Sequence, residues 1–385
     1  MNQRMTLVWV LGAALVCAVP LAPRTAAAQV TPAAGSTPPD DTPSIRVGAT
    51  IFANYNYQTE PKITDSDGNS VNRNSFDVAR SYINVTGNLN HIIAFRVTPD
   101  ILREANTASS LNGSLVFRIK YAYVQTNLDD WLTRGSWARF GVHQTPYMEF
   151  IENIYRYRFQ GTLLVERAGY MSSADAGVSF HYNYPGNYGD VHVGVYNGEG
   201  YGRAEPNDQK GLLLRVTGRP FPTAAPVWRG LRGHFYYYGD HHVKDGVRRR
   251  TIGTATYEHP SVVAGFEYID ARDQRSMLPG QTAVDSKGYS LWVTPRTRYG
   301  WEGLIRYDHH VPNTSTALAP FSTAGNFTTT LDSQRQNRAI VGVAYWFKLQ
   351  SPATAALLVD YDAQLFENLT ALPTKTLFVH ALINF

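Results

Sequence analysis

The last stretch of the chain, Lys375-Thr-Leu-Phe-Val-His-Ala-Leu-Ile-Asn-Phe385, decides the fold. Leu377, Val379, Ala381, Ile383 and Phe385 share one face of an extended chain. Thr376, His380 and Asn384 share the other, with Phe378 and Leu382 breaking the alternation. Successive side chains of a strand point to opposite sides, so this period of two marks a strand between an apolar and a polar medium. The segment before it repeats the pattern. Leu357, Val359, Tyr361, Ala363 and Leu365 face one way; Asp360, Asp362 and Gln364 face the other.

Working back along the chain, the same alternation recurs over about 8 to 12 residues at a time, bounded by Gly, Pro, Asn and Asp. About sixteen such segments are expected: 45–57, 75–88, 91–101, 114–126, 136–144, 174–183, 187–197, 209–219, 229–239, 247–257, 261–271, 285–295, 299–309, 336–347, 354–365 and 375–385. Their connections alternate in length. The stretches 58–74, 102–113, 145–173, 198–208, 272–284 and 310–335 are long. Leu89-Asn90, Pro185-Gly186, His259-Pro260 and 296–298 are short. Two turns on the short side, near 127–135 and 220–228, are longer than the rest. A soluble sandwich would also alternate. The even strand count, and short turns at one end against long loops at the other, favour a transmembrane antiparallel barrel. In lipid every backbone N–H and C=O needs a partner, so such a sheet must close.

Composition agrees. Charged residues make up 17% of the 385, below the roughly 25% of soluble domains, and Tyr (24) outnumbers Phe (17). Tyr suits a wall that meets both lipid and headgroups. The net charge of +4 implies no nucleic-acid surface. Residues 1–28 read as a secretory signal peptide, with Arg4, an apolar run over 7–19 and the small residues Thr25-Ala-Ala-Ala28. That run of about 13 residues is short of the roughly 20 a spanning helix needs. The only cysteine, Cys17, lies within it, so the mature chain has no disulfide framework and no thiol chemistry. Residues 29–44 are expected to be a flexible periplasmic lead, and 45–385 the barrel.

Gly141-Val-His-Gln-Thr-Pro-Tyr-Met-Glu149, followed by the long stretch to Arg167, resembles the phosphate-selective porin family of the porin O and P type. So do Ala174–Tyr201, ending Val193-Gly-Val-Tyr-Asn-Gly-Glu-Gly200, and Arg80-Ser-Tyr-Ile-Asn-Val-Thr-Gly87. The resemblance is sharpest over 136–201. It implies a sixteen-stranded trimer with one loop folded into the pore, passing small solutes or inorganic anions across the outer membrane of a Gram-negative cell. Phe385 is similar to the closing aromatic that such barrels present to the barrel-assembly machinery. The lysine cluster of the phosphate-specific members has no residue-by-residue match here.

Parity assigns the lumen. Opposite Leu115, Phe117, Ile119 and Tyr121 stand Arg118 and Lys120. The same rule turns Arg80, Arg96, Arg139, Arg215 and Arg306 inward. An Arg or Lys on the lipid face at the midplane would cost about 2–4 kcal/mol. Seven inward cations would focus a positive potential and favour anions. Glu267, Glu302, Asp308, Asp360 and Asp362 are expected to oppose them. Pairing with these would make bridges across the lumen; segregation would make a transverse field. In the fifth connection, Glu149-Phe-Ile-Glu-Asn-Ile-Tyr-Arg-Tyr-Arg158 spaces apolar residues as a helix would. Tyr147, Glu149, Glu152, Arg156 and Arg158 are therefore expected on a constriction loop.

Other signals carry less. His241-His242 and His309-His310 are adjacent on strands and so point apart, which suits no metal. Arg248-Arg-Arg250 reads as a solvated charge run. Trp131, Trp137, Trp228, Trp292 and Trp346 read as interfacial belt or wall positions. No phosphate-binding, zinc or nucleophile-elbow motif is present, so no cofactor and no enzymatic activity are expected. Two alternatives stand beside a diffusion channel. One is a structural barrel plugged by its own loop. The other is an outer-membrane hydrolase built from His380, or His181 with Asp175.

Overall fold

A computed structural model describes residues 41–279, 281–314, 335–350, 353–366 and 372–385. The expected signal peptide, most of the lead and most of the loop 310–335 lie outside the described residues.

Sixteen antiparallel strands close into a barrel. In chain order, β1 is Ser44–Thr64, β2 Ser70–Asn88, β3 Ile93–Arg103 and β4 Leu115–Asn127. Next come β5 Trp137–Gln144, β6 Ala174–Asn183, β7 Gly189–Tyr196 and β8 Gly211–Gly218. Then β9 spans Leu231–Val243, β10 Gly246–His259, β11 Val262–Asp273 and β12 Val284–Pro295. The last four are β13 Trp301–Val311, β14 Gln336–Trp346, β15 Thr354–Phe366 and β16 Thr374–Asn384. Each strand pairs with its chain neighbour, and β1 pairs with β16 to seal the ring. The seal runs to the last residue: Phe385 and Ala49 exchange backbone hydrogen bonds of 3.0 and 3.1 Å.

All sixteen expected segments are strands. The first pair is longer than polarity suggests. β1 and β2 run on to Thr64 and Ser70, so the expected loop 58–74 is mostly hairpin around the turn 65–69. At the other end the lead is tied down: Asp41 accepts hydrogen bonds from the backbone and ring of His91.

The outer face is apolar to a degree that water would not tolerate as a contiguous surface. Phe117 and Phe140 are 67% and 74% exposed, and Val178, Leu212, Phe266, Leu291, Val359 and Leu377 continue the belt. Trp131, Trp228, Tyr188, Tyr299 and Trp301 are exposed around the short-turn end. The inner face buries polar side chains, among them Arg96, Thr98, Asp100, Arg306 and Asp308.

Parity slips in two of the strands that carry inward cations. On β2, Phe52 pairs with Arg80 but Ala53 with Val78, which leaves Ala79 unpaired beside Arg80. On β4, Thr98 pairs with Tyr121 but Pro99 pairs with Ile119, which leaves Lys120 as a bulge residue. Pro has no N–H for the ladder, and a bulge is where a sheet accepts one. Lys120 and Tyr121 are both buried within the barrel, so Tyr121 does not face outward as the alternation predicts. On β5, Gly141 adopts φ +121°, and an added Cβ would lie 2.4 Å from the Ala122 carbonyl oxygen. Only glycine lets the two strands approach this closely.

Candidate functional site

The fifth connection, 145–173, folds into the barrel. Its helix α1, Met148–Tyr155, and the short α2, Leu164–Arg167, bury Tyr147, Met148, Ile151, Tyr155, Leu164 and Val165. α1 ends at Arg156, which takes a left-handed φ of 52° and sends the chain across the lumen.

The loop is pinned at many points around the wall. The Tyr147 hydroxyl bonds Thr254 of β10 at 2.6 Å and donates to Glu267 of β11. Arg156 pairs with Glu302 of β13 at 2.8 Å and stacks 3.6 Å over Trp346. The Tyr157 hydroxyl donates to Glu302 at 3.0 Å. Gln160 donates to Asp360 and Asp362 of β15 at 3.3 and 3.4 Å. Phe159 meets Phe52 of β1 and His380 of β16. Arg167 pairs with Asp308 at 2.7 Å. On the other flank Glu149 reaches Arg96 of β3 at 3.4 Å, and Phe150 lies 3.7 Å under the Arg215 guanidinium.

All seven cations assigned inward by parity do face the interior, and five meet carboxylates. Asp100 holds Arg80 at 2.6 Å and Arg118 at 3.0 Å. Arg96 donates to Asn84 at 2.9 Å and Thr98 at 3.0 Å besides reaching Glu149. Arg215 pairs with Asp190 and donates to the Pro146 carbonyl at 2.8 Å. Arg306 pairs with Asp308 at 2.8 Å. Among the described residues Lys120 and Arg139 form no ion pair with a carboxylate. Lys120 lies over the rings of Tyr82 and Tyr121 at 4.7 and 5.3 Å, and within electrostatic reach of Asp100. Arg139 lies 3.7 Å over Trp137 and donates to Gln125 and Gln144 at 2.8 and 2.9 Å.

Of the loop residues, Glu152 is enclosed between Arg158 at 2.8 Å and the carboxylates Glu149 and Glu166. Burial pushes its carboxyl up to about 7, with Arg158 opposing the shift and Glu166 adding to it. Arg158 also lies 3.5 Å from Glu166.

Several residues differ from the sequence reading. Trp292 and Trp346 are buried inside, 1% and 6% exposed, because parity on β12 and β14 turns them to the loop. Trp137 faces inward too, stacked on His181 at 5.0 Å. Arg248-Arg-Arg250 is not one solvated run: Arg250 is 1% exposed and pairs with Asp273 at 2.7 Å, while Arg249 lies outside. His380 pairs with Asp360 at 3.1 Å, and His181 with Asp190 at 3.2 Å. Asp175 accepts from the backbone N–H of Ala176 and Gly198, both at 2.7 Å. Sequence reasoning also missed Asp100, Asp190, Asp273 and Arg338 as interior charges. Parity on β3 and β10 would have found Asp100 and Arg250.

No protein-family model matches the sequence, and no curated protein is similar to it. Solved structures share the fold. The anion-selective porin from Comamonas acidovorans superposes with a TM-score of 0.58 at 10% identity, covering 89% of this chain and 100% of that one. OmpF of Salmonella typhi, in complex with daunomycin, gives 0.56 at 9%, over 89% and 97%. OmpT, an outer membrane protein of Vibrio cholerae in its trimer form, gives 0.54 at 12%, over 89% and 100%. At these identities the likeness is one of fold: a closed sixteen-stranded barrel.

Proposed function

We propose that this chain is an outer-membrane porin of a Gram-negative cell, a homotrimer through which small hydrophilic solutes diffuse passively, with a mild preference for inorganic anions. One observation carries the reading: a single closed wall is apolar outside and charged inside, and the chain's own loop narrows it. An apolar outer belt with an aromatic girdle suits lipid, and a charged interior suits water. The shared fold with an anion-selective porin and with a trimeric outer membrane protein supports the same reading. An export signal over 1–28, as the sequence is expected to carry, and the aromatic Phe385 would serve delivery to the assembly machinery.

The anion preference rests on the β2–β4 wall. There Arg80, Arg118 and Lys120 surround one carboxylate, Asp100, and on the neighbouring β5 Arg139 forms no ion pair with a carboxylate among the described residues. An unbalanced set of fixed cations between low-dielectric walls raises the local anion concentration. Phosphate is one candidate among those anions.

The test is single-channel recording of the purified mature chain in a planar bilayer under a KCl gradient. A stable conductance with a reversal potential favouring chloride is expected, and added phosphate should block part of the chloride current if it binds. A potassium-selective channel would mean that Asp360, Asp362 and Glu302 dominate. A folded chain that conducts nothing would favour the plugged structural barrel. That second reading has its own observation: the loop touches the wall from β8 round to β1, and again at β3.

A further inference from the structure

At the long-loop end, between the returning limb of the inward loop and the connection 197–210, lies a cavity of ≈ 260 Å³. At roughly 30 Å³ per water, it has room for a solute on the order of ten heavy atoms. We infer that this cavity is a binding subsite for a small zwitterion, an α-amino acid with an apolar side chain. The inference rests on the porin reading for access to solute, and it names a solute class that reading leaves open.

The lining carries both signs. Arg203 and Arg248 supply two cations, Asp175 and Glu199 two carboxylates, so the formal charge sums to zero. Arg203 is exposed, and its side chain forms no hydrogen bond or ion pair among the described residues. Arg248 is positioned by a 2.7 Å bond to the Gly198 carbonyl. Its contacts with Asp240 and Glu199 are 3.4 and 3.5 Å, longer than the roughly 2.7–2.9 Å of a strong charge-assisted bond. Both guanidinium groups therefore keep donors for a ligand carboxylate. Each Asp175 oxygen already accepts one backbone N–H and retains a lone pair for an ammonium, as does Glu199.

An apolar floor completes the site. Met171, Leu213 and the ring of Tyr236 line the cavity, and Tyr236 is fully buried with no hydrogen-bond partner for its hydroxyl among the described residues. The rim is tied at Gly198, whose N–H donates to Asp175 at 2.7 Å and whose carbonyl accepts from Arg248 at 2.7 Å and from the Tyr238 hydroxyl at 3.1 Å. Gly198 and Gly200 sit at φ +102° and +77°, and a Cβ on Gly198 would lie 2.2 Å from Asp240. A rim held this way loses little freedom on binding. A simple anion would meet two carboxylates, and a neutral sugar would leave Arg203 unmatched; unpaired charges of this kind are what reject the wrong ligand.

The experiment is calorimetric titration of the detergent-purified full chain with L-leucine, with acetate and glucose as comparators, beside bilayer recording of the same preparation. Leucine is expected to bind and to interrupt the current; acetate and glucose are not. Arg203→Gln should weaken leucine binding by about tenfold or more, the loss of one charge-assisted contact. Tyr236→Phe, which keeps the ring, should weaken it less. Leucine binding no better than glucose or acetate, or unchanged in Arg203→Gln, overturns the subsite. A conducting chain that does not bind leucine removes the subsite and leaves the porin. A chain that binds leucine but never conducts removes the porin and leaves the subsite.

Discussion

At the scale of single residues, Asp100 is a point of leverage on interior charge. It is the carboxylate shared by Arg80 and Arg118, and Lys120 lies within its field. Asp100→Asn keeps the shape and removes one negative charge, so the reversal potential in a KCl gradient should move further toward chloride. An unchanged potential would mean that these cations lie off the ion path. Glu152 makes a second, pH-dependent contribution. Its folded carboxyl titrates near 7, above the ordinary value of about 4.3. Burial raises it, so the folded chain holds the proton more tightly than the unfolded one. Stability from this group is therefore full below about 4.3 and falls as pH rises toward 7. Below 7 the neutral carboxyl also leaves the lumen one unit more positive. Anion preference should thus be higher at pH 6 than at pH 8, and Glu152→Gln should flatten the difference. The groups facing Glu152 are Arg158, Glu166, Lys120 and Glu149.

At the scale of elements, the inward loop is held by contacts that a one-strand reading cannot see. Breaking a buried pair by removing one partner costs about 3–5 kcal/mol. Arg156→Ala removes the pair with Glu302 and the stack on Trp346. The loop should then detach locally, with a larger single-channel conductance and faster proteolysis within 145–173, while the barrel itself stays closed. Unchanged conductance and cleavage would show that Tyr147 and Arg167 suffice to hold it. What the sequence made legible follows the same division. The strands were legible because alternation between lipid and interior is a local signal, and all sixteen segments carried it. The polar ends of β1 and β2 read as loop because pairing beyond the apolar belt leaves no hydrophobic trace. Tyr121 was misplaced because a bulge at Lys120, opposite Pro99, shifts parity on β4 by one residue. The inward loop was legible from its aromatic, helix-spaced composition. Its partners were not. Which carboxylate meets Arg118 depends on register, here Asp100 opposite Arg118, and which wall receives Arg156 depends on closure of the whole ring.

At the scale of the molecule, the two ends of the barrel sequence form one seam. β1 pairs with β16 from Thr50–Asn384 to Glu60–Lys375, and Phe385 bonds Ala49 in both directions. Every other strand finds both its partners in adjacent hairpins, so nothing local can replace this last pairing. Removing 374–385 would expose the free edges of β1 and β15. In lipid each unpaired backbone group costs several kcal/mol, because no water is there to replace the partner. The truncated chain should therefore fail to reach a folded membrane form at all, rather than form a leaky fifteen-stranded barrel. Shortening the tip of the external loop 104–114 should leave folding intact, because it removes no strand pairing. Resistance of the unheated protein to unfolding in detergent distinguishes the two. A resistant, conducting 374–385 deletion would mean that β1 and β15 pair directly, and that closure depends less on this seam than its register indicates.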